Sequence, residues 1–149
     1  MVNTTVGRPM EILLVEDNLE DAHMTMEALV HKNLRCRVTL VCDGEEAMSF
    51  LHRESIFARV PHPDLMLLDM ELPKKDGREV LAEIRASEEL KDIPVIVLTA
   101  SRVHRAILQA QQLHVDAYMT KPVDWEQFVG AVMSLRRSWL ADAIVPAMT

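Results

Sequence analysis

Four short apolar segments of this chain run into groups that can do polar chemistry. "EILLVED" ends in Glu16-Asp17, "LMLLD" in Asp69, "PVIVLTA" carries Thr99 near its end, and "AYMTKP" closes on Lys121-Pro122. Three carboxylates held together repel, and each is driven toward its protonated form. A hard divalent cation removes that repulsion. Mg²⁺ takes oxygen ligands, keeps several waters and suits phosphate chemistry. Zinc would need His or Cys, and none stands at these positions. With Mg²⁺ bound, Asp69 is a carboxylate nucleophile toward a phosphoryl group. The metal offsets charge on the transferred group, and Lys121 with the Thr99 hydroxyl holds its oxygens.

Taken singly, each residue has a plainer role. Glu16-Asp17 ahead of Asn18 favours a helix N-terminus. Asp69 and Thr99 can serve as caps. Lys121 suits solvent, and Tyr118 suits a core. What points to a site is their joint position at the ends of strands. Five apolar runs, the four above and "RVTLV", are too short for helices and rich in Val, Ile and Leu. Each precedes a helical segment. Asn18 caps one through about His31, and "DGEEAMSFLHR" starts another near Gly44. "GREVLAEIRA" places Val80, Leu81 and Ile84 on one face, and "VHRAILQAQQL" supplies a fourth. Asp124 with Gln127 forms a capping box. Phe128, Ala131, Val132, Leu135 and Trp139 follow at helix-face spacing. Continuous rather than alternating apolar strands imply burial on both faces. The expected fold is α/β, a single doubly wound (βα)5 parallel sheet of the flavodoxin-like kind, with helices on both faces and right-handed crossovers. In such sheets ligands sit outside the carboxyl ends of the strands. Strand order stays open. The segment 54–63 reads as a longer loop.

The totals agree. A chain of 149 residues, 49% apolar, suits one domain with a substantial core. Aromatics make up only 4%, so that core is aliphatic, with ten Met as flexible filler. A net charge of −7 speaks against a nucleic-acid surface. "MVNTTVGRPM" has no apolar h-region, and no run approaches the ~20 apolar residues of a membrane helix. A cytoplasmic protein with no membrane association is expected. Cys36 and Cys42 flank a strand and stand roughly 20 Å apart, too far for a disulfide.

In these residues the chain resembles the receiver domain of two-component response regulators. "LLVEDN", "DLMLLDMELPKKDG", "VIVLTA" and "AYMTKP" match its signature segments in order, over residues 11–137. The resemblance implies that a sensor histidine kinase passes phosphoryl from a phosphohistidine to Asp69. Glu16 and Asp17 match the acidic pair that holds Mg²⁺, and Glu71 the position whose backbone carbonyl also binds it. Thr99 matches the hydroxyl that moves toward the phosphoryl, Tyr118 the aromatic switch that follows it, and Lys121 the phosphate-binding lysine, with a cis Lys121-Pro122 bond. The chain is then a phosphoacceptor in its own phosphotransfer and dephosphorylation, not a turnover enzyme. Its other readings are a pseudo-receiver that is never phosphorylated and an aspartyl phosphatase of the haloacid-dehalogenase type. Intact Asp69, Thr99 and Lys121 disfavour the first. The second needs Asp-x-Asp near the first strand, and Asp69 is followed by Met70-Glu71.

The resemblance has departures. His114-Val115 replaces a common Gly-Ala, which places His114 in the left-handed conformation at some cost. Glu71 adds a third acidic side chain behind Asp69. The long loop, "LHVDAYMTKP" and the extended tail look similar to the small regulators that serve bacterial phytochromes. The expected layout is a lead at residues 1–10, a receiver at 11–139 and a tail at 140–149, with no output domain. Leu19, His23 and Met26 form a flank for kinase docking, while Met24, Ala28 and Leu29 face the sheet. Trp139, Leu140, Ile144 and Val145 form an apolar cluster that suits a homodimer contact through the last helix and tail.

Overall fold

Each apolar run becomes a strand because its Val, Ile, Leu and Met side chains have two apolar layers to enter. The computed structural model describes residues 9–30, 36–99 and 102–135. The strands are β1 (Met10–Val15), β2 (Cys36–Val41), β3 (Leu65–Asp69), β4 (Val95–Thr99) and β5 (Ala117–Thr120). All pairs are parallel, and the order is β2-β1-β3-β4-β5. The chain starts mid-sheet, steps out to β2, then returns past β1 to β3. The crevice therefore opens where β1 and β3 diverge, above their carboxyl ends. Register pairs Val15 with Leu68, Asp69 with Leu98, and Thr99 with Thr120. The polar residues after β1, β3, β4 and β5 thus reach one edge.

Burial on both faces holds for the three central strands. β3 and β4 are buried throughout, and β1 at all but Glu11. It fails at the sheet's edges, where β2 and β5 are mostly half-buried because each has one neighbour strand. One apolar layer packs β1, β3 and β4 against α2 (Gly44–Leu51) and α3 (Gly77–Ala86), with Leu108 of α4 (Arg102–Ala110). The other packs them against α1 (Leu19–Leu29) and α5 (Trp125–Ser134). Val80, Leu81 and Ile84 are the buried face of α3, as their spacing requires.

Helix starts follow local chemistry. Asn18, Asp43, Asp76 and Asp124 each accept a backbone N–H from three residues on, satisfying an orphan donor of the first turn. Four sequence expectations change. The full capping box is Asp76 with Glu79, whereas at Asp124 only half a box forms because the Gln127 side chain is engaged with the end of β5. α1 stops at Leu29 with Val30 as its cap, short of His31, which lies outside the described residues. On α1 the sheet-facing residues are Ala22, Thr25 and Leu29, and Met24 is 48% exposed. The left-handed residue after α4 is Gln112 (φ 59°), not His114, because the chain turns directly behind the helix. The long loop contains a short 3₁₀ turn, Ser55–Phe57. Trp139, Leu140, Ile144 and Val145 lie outside the described residues, and so does the expected domain boundary at 139.

Candidate active site

The β3 run ends on Asp69 because the next residues cannot continue the sheet: Met70-Glu71-Leu72-Pro73 leads into a turn with Lys74 left-handed (φ 67°). Gly77 then starts α3 hard against that strand end. A Cβ there would lie 2.4 Å from the Asp69 carbonyl oxygen and 2.7 Å from Met70 Cα, both backbone atoms. No described glycine has a positive φ, so Gly77 is required by space and not by conformation. Gly77→Ala is expected to cost about 1–3 kcal/mol by overpacking and to displace Asp69. Urea unfolding of the variant checks the first effect and phosphate uptake the second. An unchanged midpoint would mean that the loop yields freely.

Glu16 and Asp17 follow β1 directly, and β1 is the neighbour of β3. One oxygen from each of Glu16, Asp17 and Asp69 falls in a group whose members all lie within 4.8 Å of one another. Glu16 is fully buried, Asp69 is 6% exposed, and Asp17 faces solvent. Lys121 reaches in from the end of β5. Its ammonium lies 2.6 Å from Glu16 Oε1, 3.2 Å from Asp21 Oδ2 and 3.3 Å from Asp69 Oδ1. Burial pushes the Glu16 carboxyl up to about 7. The hydrogen bond with Asp69 adds to this, and Lys121 opposes it. For Lys121, burial works against the ammonium, but the Glu16 hydrogen bond and the Asp69 charge outweigh it and raise its pKa above the ordinary lysine value. The Lys121-Pro122 bond is cis.

These residues line a cavity of about 710 Å³ together with Asn18, Glu71, Asp76, Arg78 and Ile107, among others. Glu71 is exposed at its rim. Thr99, 9% exposed at the tip of β4, and Tyr118, half-buried on β5, stand outside that lining. Tyr118 carries the Arg105 guanidinium 4.1 Å above its ring. Burial raises the Tyr118 phenol, and Arg105 opposes the shift.

Sequence reading missed three contributors. Asp21 is the third carboxylate on Lys121, one helical turn beyond Asp17. Arg105 fixes the face of Tyr118. Gln127 holds the backbone on both sides of Lys121: its Oε1 accepts from Thr120 N at 2.9 Å, and its Nε2 donates to Thr120 O at 3.0 Å and Pro122 O at 3.1 Å. Only Asp21 left a signal, an acidic residue at helical spacing from the Glu16-Asp17 pair.

The family model of the response regulator receiver domain matches residues 12–133. The chain belongs to that family. Response regulator Rcp1 of Synechocystis sp. is 40% identical to this receiver domain over 139 residues, 93% of this chain and 95% of its own. The Mn²⁺-bound form of Rcp1 superposes with a TM-score of 0.71 over 95% of this chain and 96% of that one, at 37% identity. The phosphorylated cyanobacterial phytochrome response regulator RcpA is 43% identical and gives 0.75 over 91% and 96%. The receiver domain of the histidine kinase PA1611 from Pseudomonas aeruginosa PAO1, 31% identical with a TM-score of 0.69 over 89% and 98%, holds a magnesium ion in its active site cleft.

In this receiver the donor set fits Mg²⁺, being all oxygen, crowded and excess in negative charge. When bound, the ion offsets carboxylate repulsion and the charge of a phosphoryl group. Glu16 ties binding to pH. Its folded value of about 7 exceeds the ordinary 4.5, so the metal-free folded state holds the extra proton between them. The stability Glu16 gives the metal-free protein is present below 4.5 and lost as pH rises through about 7. Metal needs the carboxylate, so Mg²⁺ is expected to bind more tightly at about pH 8 than at about pH 6, releasing protons between. Calorimetric titrations in two buffers of different ionisation enthalpy measure that release, and identical heats would exclude it. Among the described residues no helix is long and apolar enough to cross a membrane.

Proposed function

We propose that Asp69 accepts the phosphoryl group in this response regulator, and that the donor is a sensor histidine kinase of the phytochrome class. The observation that carries the assignment is the position of Asp69. It is the carboxylate at the tip of β3, in reach of both a cation, Lys121 at 3.3 Å, and the two acidic residues that would share a metal. Asp69 attacks the phosphorus of a phosphohistidine. The P–N bond breaks, its electron pair leaves with the imidazole, and an acyl phosphate forms on Asp69. Glu16 and Asp17 would hold Mg²⁺ with the Glu71 carbonyl, and Lys121 exchanges its Asp69 contact for a phosphoryl oxygen. Thr99 then turns to the phosphoryl and Tyr118 moves inward, which requires it to leave the Arg105 guanidinium. The phytochrome partner is supported by likeness to RcpA, a phytochrome response regulator. On α1, Leu19 is 67% exposed beside the acidic pair and His23 is exposed as well, whereas Met26 is half-buried, so the docking flank rests on Leu19 and His23.

The test is acetyl phosphate with Mg²⁺, followed by borohydride trapping and peptide mapping. One adduct, at Asp69, is expected. An adduct elsewhere overturns the assignment, and none at all favours a pseudo-receiver.

A homodimer through the last helix and tail belongs to the same reading. Its support is the sequence of residues 139–145, apolar at Trp139, Leu140, Ile144 and Val145. A two-fold contact needs only one such patch. Phosphorylation shifts pairing only by the difference in contact energy between states. Sedimentation of the full chain and of a chain ending at Arg137 should give dimer and monomer, both competent for phosphate uptake. Full-length protein that stays monomeric at high micromolar concentration excludes the contact.

A further inference from the structure

The cavity that surrounds Asp69 is heavily acidic. Six carboxylates line it, Glu16, Asp17, Asp21, Asp69, Glu71 and Asp76, against two cations, Lys121 and Arg78. Lys121 is committed to Glu16, Asp21 and Asp69. Arg78 differs. Among the described residues it makes no ion pair with a carboxylate. It donates from Nη1 to the amide oxygen of Gln111, beyond α4, at 3.4 Å. That is a long contact that holds the guanidinium weakly. Arg78 also occupies the first turn of α3, where the helix dipole disfavours a cation. A half-buried arginine in a position its own helix opposes, parked on a neutral partner at the mouth of an acidic cavity, has its charge free for an incoming anion.

We propose that Arg78 is a donor-binding residue: it leaves Gln111 and contacts the phosphoryl oxygens of the phosphodonor as that group approaches Asp69. This rests on the Asp69 reading. A phosphodonor is itself anionic and must enter a site where acids outnumber bases by three to one. Mg²⁺ offsets part of that field. A guanidinium at the rim offsets more, and its planar fork matches two phosphoryl oxygens at once. The contribution of the Arg78 guanidinium is that of a fixed positive charge, so it falls with salt. The same charge repels Mg²⁺, so Arg78 acts in opposite directions on the two species.

The opposed signs make the test specific. The probe is acetyl phosphate at saturating Mg²⁺, with labelling followed by phosphate-affinity electrophoresis. Arg78→Ala is expected to lower the second-order labelling rate about fivefold, the size of a partly exposed charge pair, and to tighten Mg²⁺ binding. Arg78→Lys should restore most of the rate. Gln111→Ala should label no more slowly than the parent protein, because it frees the guanidinium. The Arg78→Ala deficit should shrink at about 0.5 M salt, where the Debye length is a few ångströms. A variant that loses labelling and Mg²⁺ affinity together has a distorted site, and that result overturns the role of Arg78. Unchanged labelling in Arg78→Ala overturns it as well. Failure of the parent protein to label overturns the Asp69 reading instead, which keeps the two failures distinct.

Discussion

Asp69→Asn protein is expected to take up no phosphate from acetyl phosphate or from a histidine kinase while it remains folded. The amide keeps the size of the carboxylate and an oxygen for Lys121, but it is no nucleophile toward phosphorus. Its nearest carboxylates cannot substitute. Glu16 is fully buried and bound to Lys121, and Asp17 lies in the turn after β1 and not at the tip of β3. Removing one of three crowded charges also relieves repulsion in the metal-free protein. The variant is therefore expected to be at least as stable as the parent without Mg²⁺, and to gain less from adding it. Intact-mass analysis and thermal melts with and without Mg²⁺ read both effects. Phosphate uptake equal to the parent's would remove Asp69 from its role, and a lowered metal-free midpoint would mean that the acidic cluster is not repulsive.

Lys121→Met is expected to destabilise the protein strongly above neutral pH. The side chain is 17% exposed and pairs with a Glu16 side chain that is wholly buried. Methionine fills the volume but leaves the glutamate without a counter-charge, and breaking such a pair from one side costs about 3–5 kcal/mol. Glu16 has an escape, protonation. Burial and Asp69 already hold it up to about 7, and removing Lys121 takes away the opposing influence. The loss is therefore expected to be large at about pH 8 and small at about pH 5, where a neutral carboxyl needs no partner. Urea unfolding at both values measures this, and an equal loss at the two would show that Lys121 acts through packing and not charge. Asp69 and Asp21 lose the same cation, so phosphate uptake should fall as well.

The fold could be read from the order of residues because its cause is local. A run such as Leu65–Asp69 or Val95–Thr99 is apolar at every position, so it needs cover on two faces, and only a sheet between helix layers provides that. Helix starts at Asn18, Asp43, Asp76 and Asp124 are likewise decided within four residues, by a side-chain oxygen meeting an orphan N–H. The polar groups at the ends of β3 and β4 stood out because every residue before them in those strands is apolar. That placed Glu16, Asp17, Asp69, Thr99 and Lys121 on one edge before any contact was known.

What the tertiary structure decided are the pairings between segments far apart in the chain. Lys121 and Asp21 are separated by 100 residues, and no local pattern marks them as partners. Arg78 meets Gln111 only because α3 and α4 lie on the same side of the sheet, which follows from strand order and crossover hand. Gln127 looks like half of a capping box in sequence. It instead bridges Thr120 and Pro122, since the turn after β5 brings their backbone groups within its reach. Gly77 in sequence only opens the helical segment, yet it is needed because Asp69 and Met70 backbone atoms occupy the space a side chain would fill. The sequence by itself determined which elements form and which edge carries the chemistry, because periodicity, capping and strand-end polarity act over a few residues. Only the packed fold decided which charges face each other and which side chains hold the site in place, because those depend on distances that close when the sheet assembles.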